Sequence, residues 1–276
     1  MSDTAGTPPL APLVTGAVAA AALARDGMAA AADGGPPQLR AVDRSALGSW
    51  HSLYGGQRWR VDPKGVYVDG REQPERSRGE PASMRLYLAL WGDYLREAAW
   101  EEGVPLTLLL MTLGTENGSA KVEGQSIQYA PFRKEPGYTS DQAPPHRISV
   151  GPCHLLISTA RAALGRPRLT RQDLLDPALN IRGAAAYIAG QYERTGFDPI
   201  LVAAAYNAGG VYDSSSSSNP KFRNPWNLRS WDEDGKGPLP GHLDRAAAWY
   251  GDAVEVLSEA GRCVALDGTG LGRVVV

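Results

Sequence analysis

The chain has 276 residues, of which 43% are hydrophobic and 21% charged, and its formal net charge is -2. This is the composition of an ordinary globular protein with ample core. The charge gives no electrostatic case for nucleic-acid binding, and it argues against a simple cationic anchor on an anionic cell surface. The 32 glycines and 21 prolines imply many loops. Cys153 and Cys263 lie too far apart in sequence to form a metal-ligand spacing. They permit one disulfide or two free thiols.

Residues 1–45 are rich in Ala, Gly and Pro and read as a flexible or helical arm, with one possible helix around Val14–Ala32. Such an arm is either a loose tail or a docking segment for a partner. Leu13–Ala24 is apolar, but the preceding MSDTAGTPPLAP holds an aspartate and neither lysine nor arginine, so the positive n-region of a secretory signal is missing. The run is also too short to span a bilayer. The expectation is a protein made in the cytoplasm without a Sec signal and without a membrane span.

Residues 46–82 form a small β-containing segment and linker. Trp59–Val68 reads as two short alternating runs around Pro63-Lys64-Gly65, a β-hairpin, and 71–82 is a polar connection. Met84, Tyr87, Leu88, Trp91, Tyr94, Leu95, Ala98 and Ala99 then mark one face of a helix that Gly103 ends. A second helix, Leu106–Glu116, follows at once. The spacing from 118 to 148 predicts a long loop, of the kind that forms a lid or cleft wall. A helix is expected over Pro152–Leu164, and another from Asp176-Pro177 with Ile181, Ala184, Ala185, Ile188 and Tyr192 on one face, closed by Gly196. Asp198-Pro199 caps a short apolar helix to Ala205, broken by Tyr206-Asn207-Ala208-Gly209-Gly210. Residues 211–241 are loop-like, and a last helix runs Leu243–Glu259. The pattern predicts an α+β, mainly α fold.

The chemistry centres on the end of the Leu106 helix. Pro105 suits its first turn and Gly118 its end. A helix this apolar belongs in a core. Glu116 would then emerge beside buried surface, near the negative end of the helix dipole, and both effects raise a carboxyl pKa. A carboxylic acid still protonated near neutral pH is what general-acid chemistry requires. A surface glutamate that merely follows a core helix is the other reading of this stretch alone.

Five segments in order resemble the lysozyme-like lytic transglycosylase family, the superfamily of soluble lytic transglycosylases and goose-type lysozymes. They are Thr115-Glu116-Asn117-Gly118; Ser149-Val150-Gly151-Pro152-Cys153-His154; Ser158-Thr159-Ala160 with Leu164-Gly165; Leu175-Asp176-Pro177 with Asn180-Ile181, Gly183-Ala184 and Tyr187; and Ala204-Ala205-Tyr206-Asn207-Ala208-Gly209. The likeness spans roughly 84–260 and implies a lysozyme-like domain over 83–262, with 263–276 as a C-terminal tail. Glu135–Tyr138, Ser140-Asp141 and Pro145–Arg147 are similar to a loop of phage and prophage versions.

The resemblance implies cleavage of peptidoglycan between N-acetylmuramic acid and N-acetylglucosamine, with no metal or cofactor. Glu116 would serve as acid and then as base, leaving 1,6-anhydromuramoyl ends and needing no second carboxylate. It further implies substrate contacts at Ser149, His154, Tyr206, Asn207 and Tyr187, with the Tyr206 hydroxyl beside Glu116. A muramidase that hydrolyses the same bond would want a second acid, for which Asp141 is the first candidate beside Glu123 and Glu135. Trp50, Trp59 and Trp91 are either sugar-stacking platforms or core. His154 stands where the family has glutamine, Pro152-Cys153 where it has Leu-Met, and Asn117 where it has serine. These departures keep a third reading open: a non-catalytic wall-binding or structural part of a phage tail or injection particle, joined through the N-terminal arm.

Overall fold

Ten consecutive residues, Leu106 to Thr115, are buried in one helix, and the rest of the fold is built round them. The computed structural model describes residues 48–53, 57–78, 81–123, 126–135, 137–143, 147–211, 241–259, 264–265 and 273–274. The expected helix around Val14–Ala32 and most of the 211–241 loop lie outside these residues.

The chain enters through an antiparallel hairpin, β1 (Trp59–Asp62) and β2 (Gly65–Val68), with Trp59 opposite Val68 and Asp62 opposite Gly65. The Asp62 carboxylate accepts from the Lys64 amide at 2.8 Å and fixes the turn. Helix α1 (Ala82–Glu102) buries Met84, Tyr87, Trp91, Leu95, Ala98 and Ala99, the face read from the periodicity, and stops at Gly103 in the left-handed region. Helix α2 (Leu106–Asn117) starts after Pro105 and ends at Gly118.

The stretch from 118 to 156 departs from the expected loop. It folds into a hairpin of β3 (Lys121–Glu123) and β4 (Ser126–Gln128), then an antiparallel sheet of β5 (Phe132–Lys134), β6 (Ile148–Val150) and β7 (Leu155–Leu156). Strands of two or three residues are too short to show a period of two, so pairing across the chain decides them.

Helix α3 (Ile157–Ala163) is shorter than expected, because residues 151–154 form a turn and β7 comes first. After a 3-10 turn at Asp173–Leu175 come α4 (Pro177–Gly190), α5 (Tyr192–Thr195), α6 (Pro199–Ala208) and α7 (His242–Glu259). The Asp176 carboxylate caps α4 and that of Asp198 caps α6, each with proline at the first helical position. Tyr206 and Asn207 do not break α6. They form its last turn, and the left-handed Gly209 ends it.

Helix α2 packs against α1, α6 and α7. A Cβ on Gly114 would lie 2.7 Å from the Trp249 ring of α7, so glycine sets how closely these two helices approach. The Thr112 and Thr115 hydroxyls bond back to Leu108 O and Met111 O, which lets polar residues sit in the core. The hairpin side chains Trp59, Val61, Val66 and Val68 join this same core. A second, smaller core of Ile148, Val150, Leu155, Ile157, Ala160, Leu169 and Leu174 lies under the three-stranded sheet. The architecture is α+β and mainly helical. Among the described residues no helix is long and apolar enough to cross a membrane.

Candidate active site

Glu116 sits in the last turn of α2, where the helix leaves the core, and its side chain is 15% exposed. Burial pushes its carboxyl up to about 7. Arg133 and Arg245 pull the other way, and Glu135 adds a smaller upward push. Desolvation therefore outweighs two cations, and the group is poised to be protonated at neutral pH.

The turn after β6 faces Glu116 and is held from three sides. Asn180 of α4 donates to Val150 O at 2.8 Å and accepts from the Cys153 amide at 2.9 Å. The Tyr206 hydroxyl of α6 donates to Cys153 O at 2.8 Å. Asn117, next to Glu116, donates to Pro152 O. Gly151 has φ of +73°, and a Cβ there would run into the Asn180 amide. The result is a rigid turn that delivers His154 with φ of +44°, a conformation that costs a non-glycine residue about 1–3 kcal/mol.

The His154 side chain is 3% exposed, and its Nδ1 lies 3.9 Å from Glu116 Oε2. Its Nε2 lies 3.2 Å from Ala130 O. Burial and Arg133 hold the ring below the usual histidine range, against smaller upward pushes from the Ala130 carbonyl and Glu135.

The other expected contacts divide. Ser149 pairs with Arg133 across β5 and β6, and its hydroxyl donates to Glu135 Oε1 at 2.8 Å. It caps no helix. The Tyr206 hydroxyl, expected beside Glu116 as its hydrogen-bond partner, is committed to Cys153 O, though its ring is close enough for the Glu116 charge to help keep the phenol protonated. Tyr187 packs edge-on against Tyr206 at 5.5 Å, and its hydroxyl lies 3.4 Å from Ala205 O. Asn207 is exposed on the last turn of α6.

Asp141 accepts from the Tyr138 hydroxyl at 2.6 Å and pairs with Arg171 at 3.1 Å. The charge of Glu135 does act on Glu116. Trp59 and Trp91 are core residues rather than sugar platforms, whereas Trp50 is 41% exposed with Arg60 against its ring. Cys153 is a buried free thiol whose pKa burial drives upward.

Four residues of the site carry roles that the sequence did not reveal. Arg133 and Arg245 reach Glu116 from β5 and α7, and one arginine in a short strand or on an amphipathic helix gives no signal. Asn180 offered one, as a polar residue on an otherwise apolar helix face. Asn117 looked like a minor substitution and proves to bridge α2 to the turn.

Residues 93–228 match the family described as the transglycosylase SLT domain, just under half of the chain. Among solved structures, an inactive mutant of the lytic transglycosylase Slt from Pseudomonas aeruginosa aligns at 19% identity with a TM-score of 0.40, over 64% of this chain. The chain spans 25% of the length of that protein. No curated protein matches it. Residues 93–228 hold Glu116, the 151–154 turn, Asn180 and Tyr206, so the part of the chain that matches the transglycosylase SLT domain is the part that carries the candidate site.

Proposed function

We propose that this protein cleaves the peptidoglycan glycan strand between N-acetylmuramic acid and N-acetylglucosamine, with Glu116 as acid and then base. The observation that carries this reading is a carboxyl at the mouth of a buried helix with its pKa raised to about 7. Protonated, it gives its hydrogen to the glycosidic oxygen. As a carboxylate it then takes the proton of the muramoyl 6-hydroxyl, whose oxygen attacks the anomeric carbon. The sugar leaves as a 1,6-anhydro product, water is not consumed, and one carboxyl suffices where most glycosidases need two. Arg133 and Arg245 support the second half, since their charge favours the carboxylate that must form. Ser149, Tyr187 and Asn207 are proposed to contact or border the bound glycan.

Hydrolysis of the same bond is the second reading, and Glu135 favours it as a second carboxylate whose charge reaches Glu116. Digestion of purified sacculi followed by mass analysis separates the two. Anhydro ends, one water lighter, are expected; reducing ends would assign hydrolysis. Glu116→Gln is expected to release no muropeptides while remaining folded, and retained release would overturn the role of Glu116. Presence on a phage tail or injection particle is supported by the likeness of the 135–147 loop to phage versions, and fractionating particles with an antibody to this chain tests it.

A further inference from the structure

One feature of the site is not used by that chemistry. His154 Nδ1 is a buried ring nitrogen with no hydrogen-bond partner among the described residues, and it points at Glu116 Oε2 from 3.9 Å. Its other nitrogen settles which atom carries the hydrogen. Nε2 faces the carbonyl of Ala130 at 3.2 Å, and a carbonyl can only accept, so in the neutral ring that burial favours Nε2 is the N–H and Nδ1 is a bare lone pair. The ring cannot turn this arrangement round cheaply. It is enclosed on a left-handed backbone whose turn is tied to Asn180, Asn117 and Tyr206.

A bare lone pair beside a carboxyl discriminates between its two forms. It accepts a hydrogen bond from the acid and repels the carboxylate. A shift of about 1 Å in the Glu116 side chain would close the gap to hydrogen-bond length. We propose that His154 is a positioning residue that holds Glu116 in its acid form in the free enzyme, its neutral ring anchored through Nε2–H on Ala130 O and its Nδ1 accepting a hydrogen bond from the carboxyl O–H, which turns to the glycosidic oxygen when the glycan binds. The other groups that face the pair are Arg133 and Glu135 from the sheet, Arg245 from α7, Cys153 in the turn and Tyr206 from α6. The two arginines favour the carboxylate, so His154 acts against them and with burial. A glutamine at this position, the residue of the resembled family, carries an amide N–H that can turn toward the carboxylate and favour it instead. This role rests on Glu116 being the acid proposed above.

The test compares the wild type with His154→Gln and with His154→Asn, the second because asparagine accepts a left-handed backbone. The activity that needs protonated Glu116 falls as pH rises, and the midpoint of that fall is expected to drop by about one unit in both variants. Coincident midpoints in all three proteins would overturn the proposal, because a merely structural histidine changes the height of the profile and leaves the midpoint in place. Two further measurements do not need turnover. Carbon NMR titration of the Glu116 carboxyl should show the same downward shift in the variants, and nitrogen NMR of the imidazole near pH 7 should show Nε2 protonated and Nδ1 bare. An Nδ1–H tautomer, or an imidazolium, would overturn the proposal. Absence of muropeptide release by the wild type would fall on the proposed function, while the NMR results would still decide the role of His154.

Discussion

At Glu116 the burial that makes an acid also costs stability. In an unfolded chain its carboxyl titrates near 4.5, and in the folded protein near 7. Its folded pKa is the higher one, so its favourable contribution is fully present below pH 4.5 and is lost as pH rises through about 7. Above that, ionising the buried group costs on the order of 3 kcal/mol. Glu116→Gln is therefore expected to be more stable than the wild type at pH 8 by about that amount, and equal to it near pH 4. Urea unfolding at the two pH values checks this, and equal stability at pH 8 would mean that the carboxyl is solvated. The acid itself was legible in the sequence, because an apolar run ending in Glu-Asn-Gly states where a helix leaves the core. Its surroundings were not. The hydrogen-bond commitments of His154, Tyr206 and Asn117 depend on which backbone atoms the turn presents, and that turn exists only once α2, α4 and α6 have met around it.

The turn at 151–154 is the element on which the site depends. Gly151 serves it in two ways, through a positive φ that L side chains resist and through space filled by the Asn180 amide. Gly151→Ala is expected to lose at least 2 kcal/mol, about 1–2 from the backbone and the rest from displacing Asn180. It should also slow muropeptide release further than lost stability explains, since Asn180 holds the peptide that carries His154. A variant that kept wild-type urea midpoint and activity would show that the turn is loosely held. The long helices could be read from the sequence because their apolar spacing repeats over several turns. The sheet of β5, β6 and β7 could not, since the burial of β6 is fixed by its partner strands and by α3 rather than by its own three residues. The reading of 152–164 as one helix failed for the same reason. Its first five residues belong to the turn and to β7.

For the molecule as a whole, the question is what joins the N-terminal hairpin to the helical body, which composition alone makes a polar linker. Residues 74–77 are clasped between β2 and α7. Arg76 donates to Lys64 O at 2.5 Å and pairs with Glu255 at 3.3 Å, and a Cβ on Gly251 would strike Glu75 O and the Arg76 guanidinium. Asp252, 2% exposed on α7, accepts from the Ser77 amide at 3.1 Å and from its hydroxyl. A few residues further on, Arg85 and Glu259 form a second bridge to α7, but both side chains are over 40% exposed. Physical chemistry separates these two ties. Removing the buried carboxylate leaves an amide and a hydroxyl without partners, which costs about 2–4 kcal/mol, whereas an exposed ion pair contributes about 0–1 kcal/mol. Asp252→Ala is therefore expected to lower the unfolding midpoint clearly and to expose the 71–78 stretch to limited proteolysis, while Glu259→Ala changes neither measurably. Equal losses in the two variants would mean that the clasp works by net charge on α7 rather than by the buried hydrogen bonds to Ser77. Loss of the Asp252 clasp should also leave the pH midpoint of muropeptide release in place, because its hydrogen bonds run between α7 and Ser77.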